Sequence, residues 1–447
     1  MLALAAAVGA ASLLAACGAA EPAAPARPET AKALLVSRCP GPSNAEVVQA
    51  VDGRYVYEAW IGCNHSIGFA RSSDGGKSFG ASRVVPGSHR KDLHSWDPAV
   101  TVAPDGTVYV AFMVGPAEGA SANSDPMQPV LAVSHDHGRS FDRFTTLPVP
   151  AGKGVGNWGD RPFVAAGRNG AVYMTWDYGP RRDQVRIVCP PTSSCFFTEG
   201  DFNAVLQKST DGGRTWTSPA PISPGFPLGG VYSAPVVAEP DGALDVLYWQ
   251  HPTDPQTLRV SPGHEYFVRS TNGGSTWSRP VAVGARAGTI GLQEWWIDGS
   301  LAVDRAGTLY AGWDTQRGSR DTAWLAWSTN GGRRWSAPVR VASSRTEHLT
   351  EIAPAGPRNV YVAWQTVVPG KGYATFLRRY AVGSGWTGPA KRMSPAYGKP
   401  KIWPGDTFGL SSKGGAAILS WGSAIKGHVS SEIYSATATL PARRRTR

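Results

Sequence analysis

The sequence predicts an all-β fold, a β-propeller of seven four-stranded blades. Three observations carry this reading. An eight-residue turn pattern recurs five times, a β-rich run ending in an aromatic recurs seven times, and the composition favours turns over helices. The 447 residues include 53 Gly, 36 Pro and 17 Trp, and only 17% are charged. Hydrophobic residues make up 42%, which excludes a disordered chain, and no glycine period of three suggests collagen. Beyond the N-terminal leader no apolar run reaches the ~18 residues of a membrane-spanning helix.

The turn pattern is Ser-x-Asp/Asn-x-Gly-x-x-Trp/Phe. Its first copy is Ser72-Ser73-Asp74-Gly75-Gly76-Lys77-Ser78-Phe79, and further copies occupy 134–141, 209–216, 270–277 and 328–335, at steps of 62, 75, 61 and 58 residues. A decayed copy stands at Gly383-Ser384-Gly385-Trp386. The Asp or Asn is expected to accept hydrogen bonds from nearby backbone N–H groups, and the Gly to supply the positive φ of a tight hairpin. The aromatic is expected to pack back on its own sheet. The pattern is thus a hairpin staple, and Asp74, Asp136 and Asp211 are not catalytic candidates. It resembles the Asp-box, or BNR repeat, of the sialidase superfamily.

The aromatic-ended runs give the blade count. They are 55–60, 108–112, 172–176, 245–249, 309–313, 360–364 and 416–421, ending at Trp60, Phe112, Trp176, Trp249, Trp313, Trp364 and Trp421. Each unit reads strand 1, turn, strand 2 with its aromatic, loop, strand 3, hairpin, strand 4. The strand-2 aromatics are expected between blades. The last unit, from about 403 to 440, supplies three strands, and 33–38 is expected to supply the fourth, which removes an open sheet edge. A six-bladed propeller, the sialidase number, is the alternative. The domain division is a leader at 1–16, a tether at 17–32, the propeller at 33–440 and a basic tail at 441–447.

Strand direction sorts the loops onto two faces. Strand 1–2 turns and the eight-residue hairpins fall on one, here called the bottom. Strand 2–3 loops and the entries to strand 1 fall on the other, the top. Polar and aromatic residues gather at the top entries: His94, Trp96 and Asp97; Trp158, Asp160 and Arg161; Tyr232; Glu294, Trp295, Trp296 and Asp298; Glu347 and His348; Trp403 and Asp406. A funnel lined by carboxylates and aromatics suits a sugar, whose ring faces pack on aromatic faces and whose hydroxyls hydrogen-bond carboxylates. No HExxH, P-loop, GxSxG or EF-hand pattern occurs, so no metal or cofactor is expected. His135 and His137 sit in a bottom hairpin and read as solvated.

The sialidase resemblance implies a substrate carboxylate held by three arginines, a Tyr nucleophile assisted by Glu, and an Asp acid/base. Carried onto this chain, Asp97, Asp160 and Asp298 are acid/base candidates, Tyr232 with Glu294 a nucleophile pair, and Arg161 an anion clamp. His94, Trp96, Trp158, Trp295, Trp296, Glu347, His348, Trp403 and Asp406 are substrate-binding candidates. The chain departs from the family in lacking its Arg-Ile-Pro motif. Asp160-Arg161-Pro162 is only weakly similar to it. The expected function is a glycoside hydrolase acting on an extracellular glycan. A non-catalytic glycan- or protein-binding protein and an envelope scaffold are the alternatives.

Charge and cysteines point to the compartment. The net charge is +11, and the tail contributes Arg443, Arg444, Arg445 and Arg447. No basic run interleaved with aromatics suggests a nucleic-acid partner. Residues 14–17 (Leu14, Ala15, Ala16, Cys17) follow an apolar export run and look like a bacterial lipobox, although no Lys or Arg precedes the run. That resemblance implies lipidation at Cys17 and attachment to the cell envelope, and the protein is expected to be a monomer. The four remaining cysteines fit an oxidising compartment, with Cys189–Cys195 closing a short loop and Cys39–Cys63 as the second pair, both of these on the top face.

Overall fold

The computed structural model describes residues 32–39, 43–89, 93–116, 127–150, 156–182, 185–188, 196–199, 202–222, 231–250, 263–284, 299–317, 320–344, 348–402, 404–425 and 429–441. Among them no α-helix occurs, and seven antiparallel blades form a closed ring, as the repeats predict. The inner strands are Ala45–Asp52, Leu93–Val102, Trp158–Ala166, the split pair Val231–Tyr232 and Val236–Ala238, Ser300–Val303, His348–Pro354 and Gly409–Lys413. Each touches the inner strand of the next blade, and the last touches the first. A two-stranded excursion, Arg186–Val188 with Phe196–Glu199, rises from the strand 2–3 loop of blade 3. Cys189 and Cys195 lie between its strands and outside the described residues.

Closure follows the expected route. Leu34–Leu35 pairs with Glu432–Ala438 as the fourth strand of blade 7. Asn44 then binds the ring shut: its Oδ1 accepts from the Trp60 indole N–H at 2.8 Å, and its Nδ2 donates to Glu432 at 2.9 Å. The Cys39–Cys63 disulfide forms between the closing segment and the strand 2–3 loop of blade 1. Trp60, Trp176, Trp249, Trp313 and Trp421 are fully buried, and the hydrophobic clusters they join each span neighbouring blades. Truncating such a side chain costs about 3–5 kcal/mol, so these stacks bind blade to blade.

The eight-residue hairpins repeat one set of bonds. In blade 3, Ser209 Oγ accepts from Gly213 N at 2.8 Å, while Asp211 accepts from Arg214 N, Thr215 N and Thr215 Oγ at 2.9, 2.9 and 2.6 Å. The Thr215 hydroxyl and backbone bonds hold the Asp211 carboxyl below its usual range. Position five of each copy is a left-handed glycine, and at Gly332 an added Cβ would strike the Phe267 ring of the preceding blade. The motif's aromatics reach across in the same direction. Phe141 meets Phe69 at 5.0 Å and Trp335 meets Phe267 at 5.4 Å, each on the preceding blade. The expectation that they pack back on their own sheet is corrected: they are wedges between sheets, because the hairpin carries them over the blade edge.

Cations sew the same edge. Arg71 donates to His137 O at 3.2 Å, Arg143 to Gly212 O, and Lys208 to Gly273 O at 3.3 Å. Each donor lies on one blade, and each acceptor is position four of the next blade's hairpin. Replacing Asp211 with Ala should cost about 1.5–3 kcal/mol in urea denaturation, the worth of hydrogen bonds to a charged group. Asp211→Asn should cost under ~1 kcal/mol, because Asn272 accepts the equivalent bond from Thr276 N at 2.9 Å.

Candidate functional site

Four of the inner strands share one distortion near their top ends. Glu46, Asp97, Arg161 and Ser233 have φ of 53°, 45°, 48° and 53°, on blades 1 to 4, and Gly405 has 107° on blade 7. Pairing with strand 2 slips at the first three, between Ala45 and Val48, Trp96 and Ala99, and Asp160 and Phe163. These are β-bulges with a left-handed residue inside, a conformation that side chains adopt only where the surroundings enforce it. Pro98 and Pro162 follow two of them and leave no N–H to satisfy at the broken ladder. Gly405 has a separate reason to be glycine, since a Cβ there would meet the backbone of Glu46.

The bulges gather carboxyl groups from four blades around one guanidinium. Arg161 Nη2 holds Asp406 at 2.7 Å, and Arg161 N donates to Asp97 at 3.1 Å. The carboxyl of Asp97 neighbours those of Asp160 and Glu46, and the carboxyl of Glu46 neighbours that of Asp406. The Trp96 indole N–H donates to Asp160 at 2.7 Å. Asp160 and Arg161 are 7% and 5% exposed. One cation cannot balance four clustered carboxylates, of which Glu46 and Asp160 are buried, so the buried ones favour their protonated form. Burial pushes Asp160 well above the usual carboxylate range, and the charge of Asp97 adds to it. Burial, with Asp406 and Asp97 nearby, does the same to Glu46. Burial raises Asp406 too, against the pull of Arg161. Asp160 also stands directly across the ladder from Asp177, which accepts from Ser233 N of blade 4 at 3.0 Å. Below the cluster the inner strands enclose a cavity of about 260 Å³, with Asp97, Arg161 and Glu351 among its lining residues.

Of the sequence candidates, the structure brings Asp97, Asp160, Arg161 and Asp406 together, with Trp96 bonded to them. His94 stands apart at the top of its strand and stacks on His65 at 5.2 Å. Trp158 is 6% exposed and packs on Phe202 at 5.0 Å, inside the blade 3–4 core. Tyr232 and His348 lie on the inner strands of blades 4 and 6. Glu294, Trp295, Trp296, Asp298, Glu347, Trp403 and Cys17 lie outside the described residues. Among the described residues no group of three or more His, Cys, Asp or Glu could hold a metal ion. Sequence reasoning missed Glu46. Its signal would have been its place in the first inner strand, one residue after the position matching Trp96.

Arg161→Met should destabilise the protein by about 3–5 kcal/mol at pH 7, because it leaves buried carboxyls unpaired. The raised carboxyl groups set the sign of the pH dependence. They are protonated below their unfolded value of ~4 and give up stability as pH rises through their folded values. Thermal melts should therefore show the gap from wild type narrowing toward pH 4.5 and widening above it.

No protein-family profile and no curated protein sequence matches the chain. Solved structures do. A polysaccharide lyase of family PL25, an ulvan lyase, superposes with TM-score 0.57 at 13% identity, over 92% of this chain and 98% of its own. A protein of unknown function from Dyadobacter fermentans gives 0.52 at 16% identity, over 79% and 96%. The endosialidase of phage phi92 gives 0.51 at 11%, over 93% and 70%. At these identities the likeness shows a shared propeller fold.

Proposed function

We propose that this chain cleaves glycosidic bonds in an extracytoplasmic glycan, bound in the top funnel above the carboxyl cluster. The observation that carries the reading is the Asp160–Asp97 pair, two neighbouring carboxyls fixed by the Trp96 indole and the Arg161 backbone N–H, the first of them held protonated by burial. The charge of Asp97 and the burial of Asp160 both favour the protonated form of Asp160, so the two carboxyls do not divide into a separate acid and nucleophile. The pair therefore acts as one proton-sharing unit, with Asp160 as acid/base and Asp97 holding its proton in place. The nucleophile comes from elsewhere. Tyr232 directly precedes the left-handed Ser233, so it occupies on blade 4 the position that Asp160 occupies on blade 3. With Glu294 it forms the nucleophile pair of the sialidase-like arrangement, and the hairpin repeats are Asp-boxes. That an ulvan lyase and an endosialidase share the fold supports a glycan as substrate. A non-catalytic glycan binder is the second reading, favoured by the burial of Asp160 and Arg161.

Chromogenic glycosides and anionic polysaccharides, assayed with wild type, Asp160→Asn and Tyr232→Phe, separate the two. Loss of Asp160 should lower turnover about 10²–10⁴-fold, the usual contribution of general acid–base catalysis. Its melting temperature should hold, because Asn keeps an acceptor for Trp96 and a donor toward Asp97. Glycan binding without turnover in any form would favour the binder, and unfolding of Asp160→Asn would make that residue structural. We place the protein at the cell envelope, lipid-anchored through Cys17. Cys17→Ser should move it from the membrane to the soluble fraction, and retention in the membrane fraction would overturn the anchor.

A further inference from the structure

The sewing that joins blades 1 to 4 on the bottom face stops at the junction of blades 4 and 5. Arg269 occupies the position of Arg71 and Lys208, immediately before the hairpin serine, and should reach the next blade's position-four carbonyl at Gly331. Instead its guanidinium turns to its own blade. Nη1 sits 2.6 Å from Glu239 and 3.0 Å from Asp245, and Nη2 lies 3.7 Å from Asp241. Among the described residues no side chain donates to Gly331 O. Where the stitch is missing, a groove of about 680 Å³ opens between the hairpins of blades 4 and 5.

The groove differs chemically from the other blade junctions. Blades 1 to 3 carry Asp in the hairpin, whereas blades 4 and 5 carry Asn272 and Asn330. Two negative charges are thereby removed beside Arg279 and Arg333, both exposed. Among the described residues neither of these forms an ion pair, and Arg333 is oriented by its Nε bond to Asn330 O at 3.0 Å. The half-buried indole of Trp277 lines the same wall. An apolar ring face, two unpaired guanidinium groups and hydroxyls from Thr271 and Thr276 match a sugar that carries carboxylate or sulfate. The indole takes the ring face and the guanidinium groups take the anion in paired hydrogen bonds. The volume falls in the usual range of ligand sites, about 300–1,000 Å³.

We infer that this groove is a second glycan subsite, on the face opposite the funnel, which docks an anionic polysaccharide without cleaving it. It holds substrate-like chains to the bottom face whether or not the funnel is catalytic.

The full chain is tested by affinity electrophoresis in gels containing polygalacturonate, dextran sulfate, neutral dextran or inorganic polyphosphate. Retardation is expected with polygalacturonate or dextran sulfate, and whichever retards more strongly identifies the anion. Two variants read the site. Arg279→Gln with Arg333→Gln should weaken binding at least tenfold. Asn272→Asp with Asn330→Asp should weaken it comparably at unchanged melting temperature, because Asp keeps the oxygen that holds each hairpin. Equal retardation by neutral dextran would overturn the inference. So would polyphosphate binding as tightly as the polysaccharides, or failure of both double variants to weaken binding.

Discussion

The ion pair between Arg161 and Asp406 spans the axis of the ring, joining blade 3 to blade 7. A propeller has no core at its centre, only seven inner strands converging on a channel. Whatever fills the top of that channel sets how closely the strands approach. Here the filling is polar, and a buried polar filling is stable only when every charge has a partner or a proton. The left-handed residues follow from this. A strand in regular pleat would alternate its side chains between the two blade surfaces. A bulge swings one residue toward the axis instead, and four blades use it to bring Glu46, Asp97, Arg161 and Ser233 there. Strain at the bulges and proton uptake in the cluster are thus two sides of one arrangement.

The two faces solve the blade-to-blade problem differently. The bottom uses repeated local chemistry, a glycine without Cβ, a wedge aromatic and a cation on a carbonyl. The top uses individual bonds that differ from junction to junction, such as Asp177 to Ser233 N and Thr350 Oγ1 to Asp314 at 2.8 Å. Repetition makes the bottom uniform, so a departure like Arg269 stands out. Irregularity at the top leaves room for a specific ligand.

The same division explains what was legible in the sequence. The seven blades and the closing strand were legible because the hairpin glycines and strand-2 aromatics recur with fixed local roles. The top cluster was legible only in part. Asp97 and Asp160 look equivalent by chemistry, yet the bulges align Asp97 with Arg161 and Trp96 with Asp160, one residue out of phase. By the same register Trp158 matches His94 rather than Trp96, and it faces the core. Glu46 carries no flanking Pro or Trp, and its role exists only once blades 1 and 7 meet. Such contacts between distant segments leave no periodic trace.

The closing strand sets an order of assembly. Ser37 bonds Glu432 across 395 positions of chain, so the ring stays open until the outer strand of blade 7 is available. Contacts this distant are slow to form, and an open blade edge meanwhile offers unpaired backbone to other chains. The Cys39–Cys63 crosslink spans only 24 positions and lies wholly within the first blade's neighbourhood. It can form while the later blades are still absent. Once formed, it parks the closing segment beside blade 1, at the spot where blade 7 must arrive. The search that completes the ring then ends on a prepared edge rather than on a free chain end.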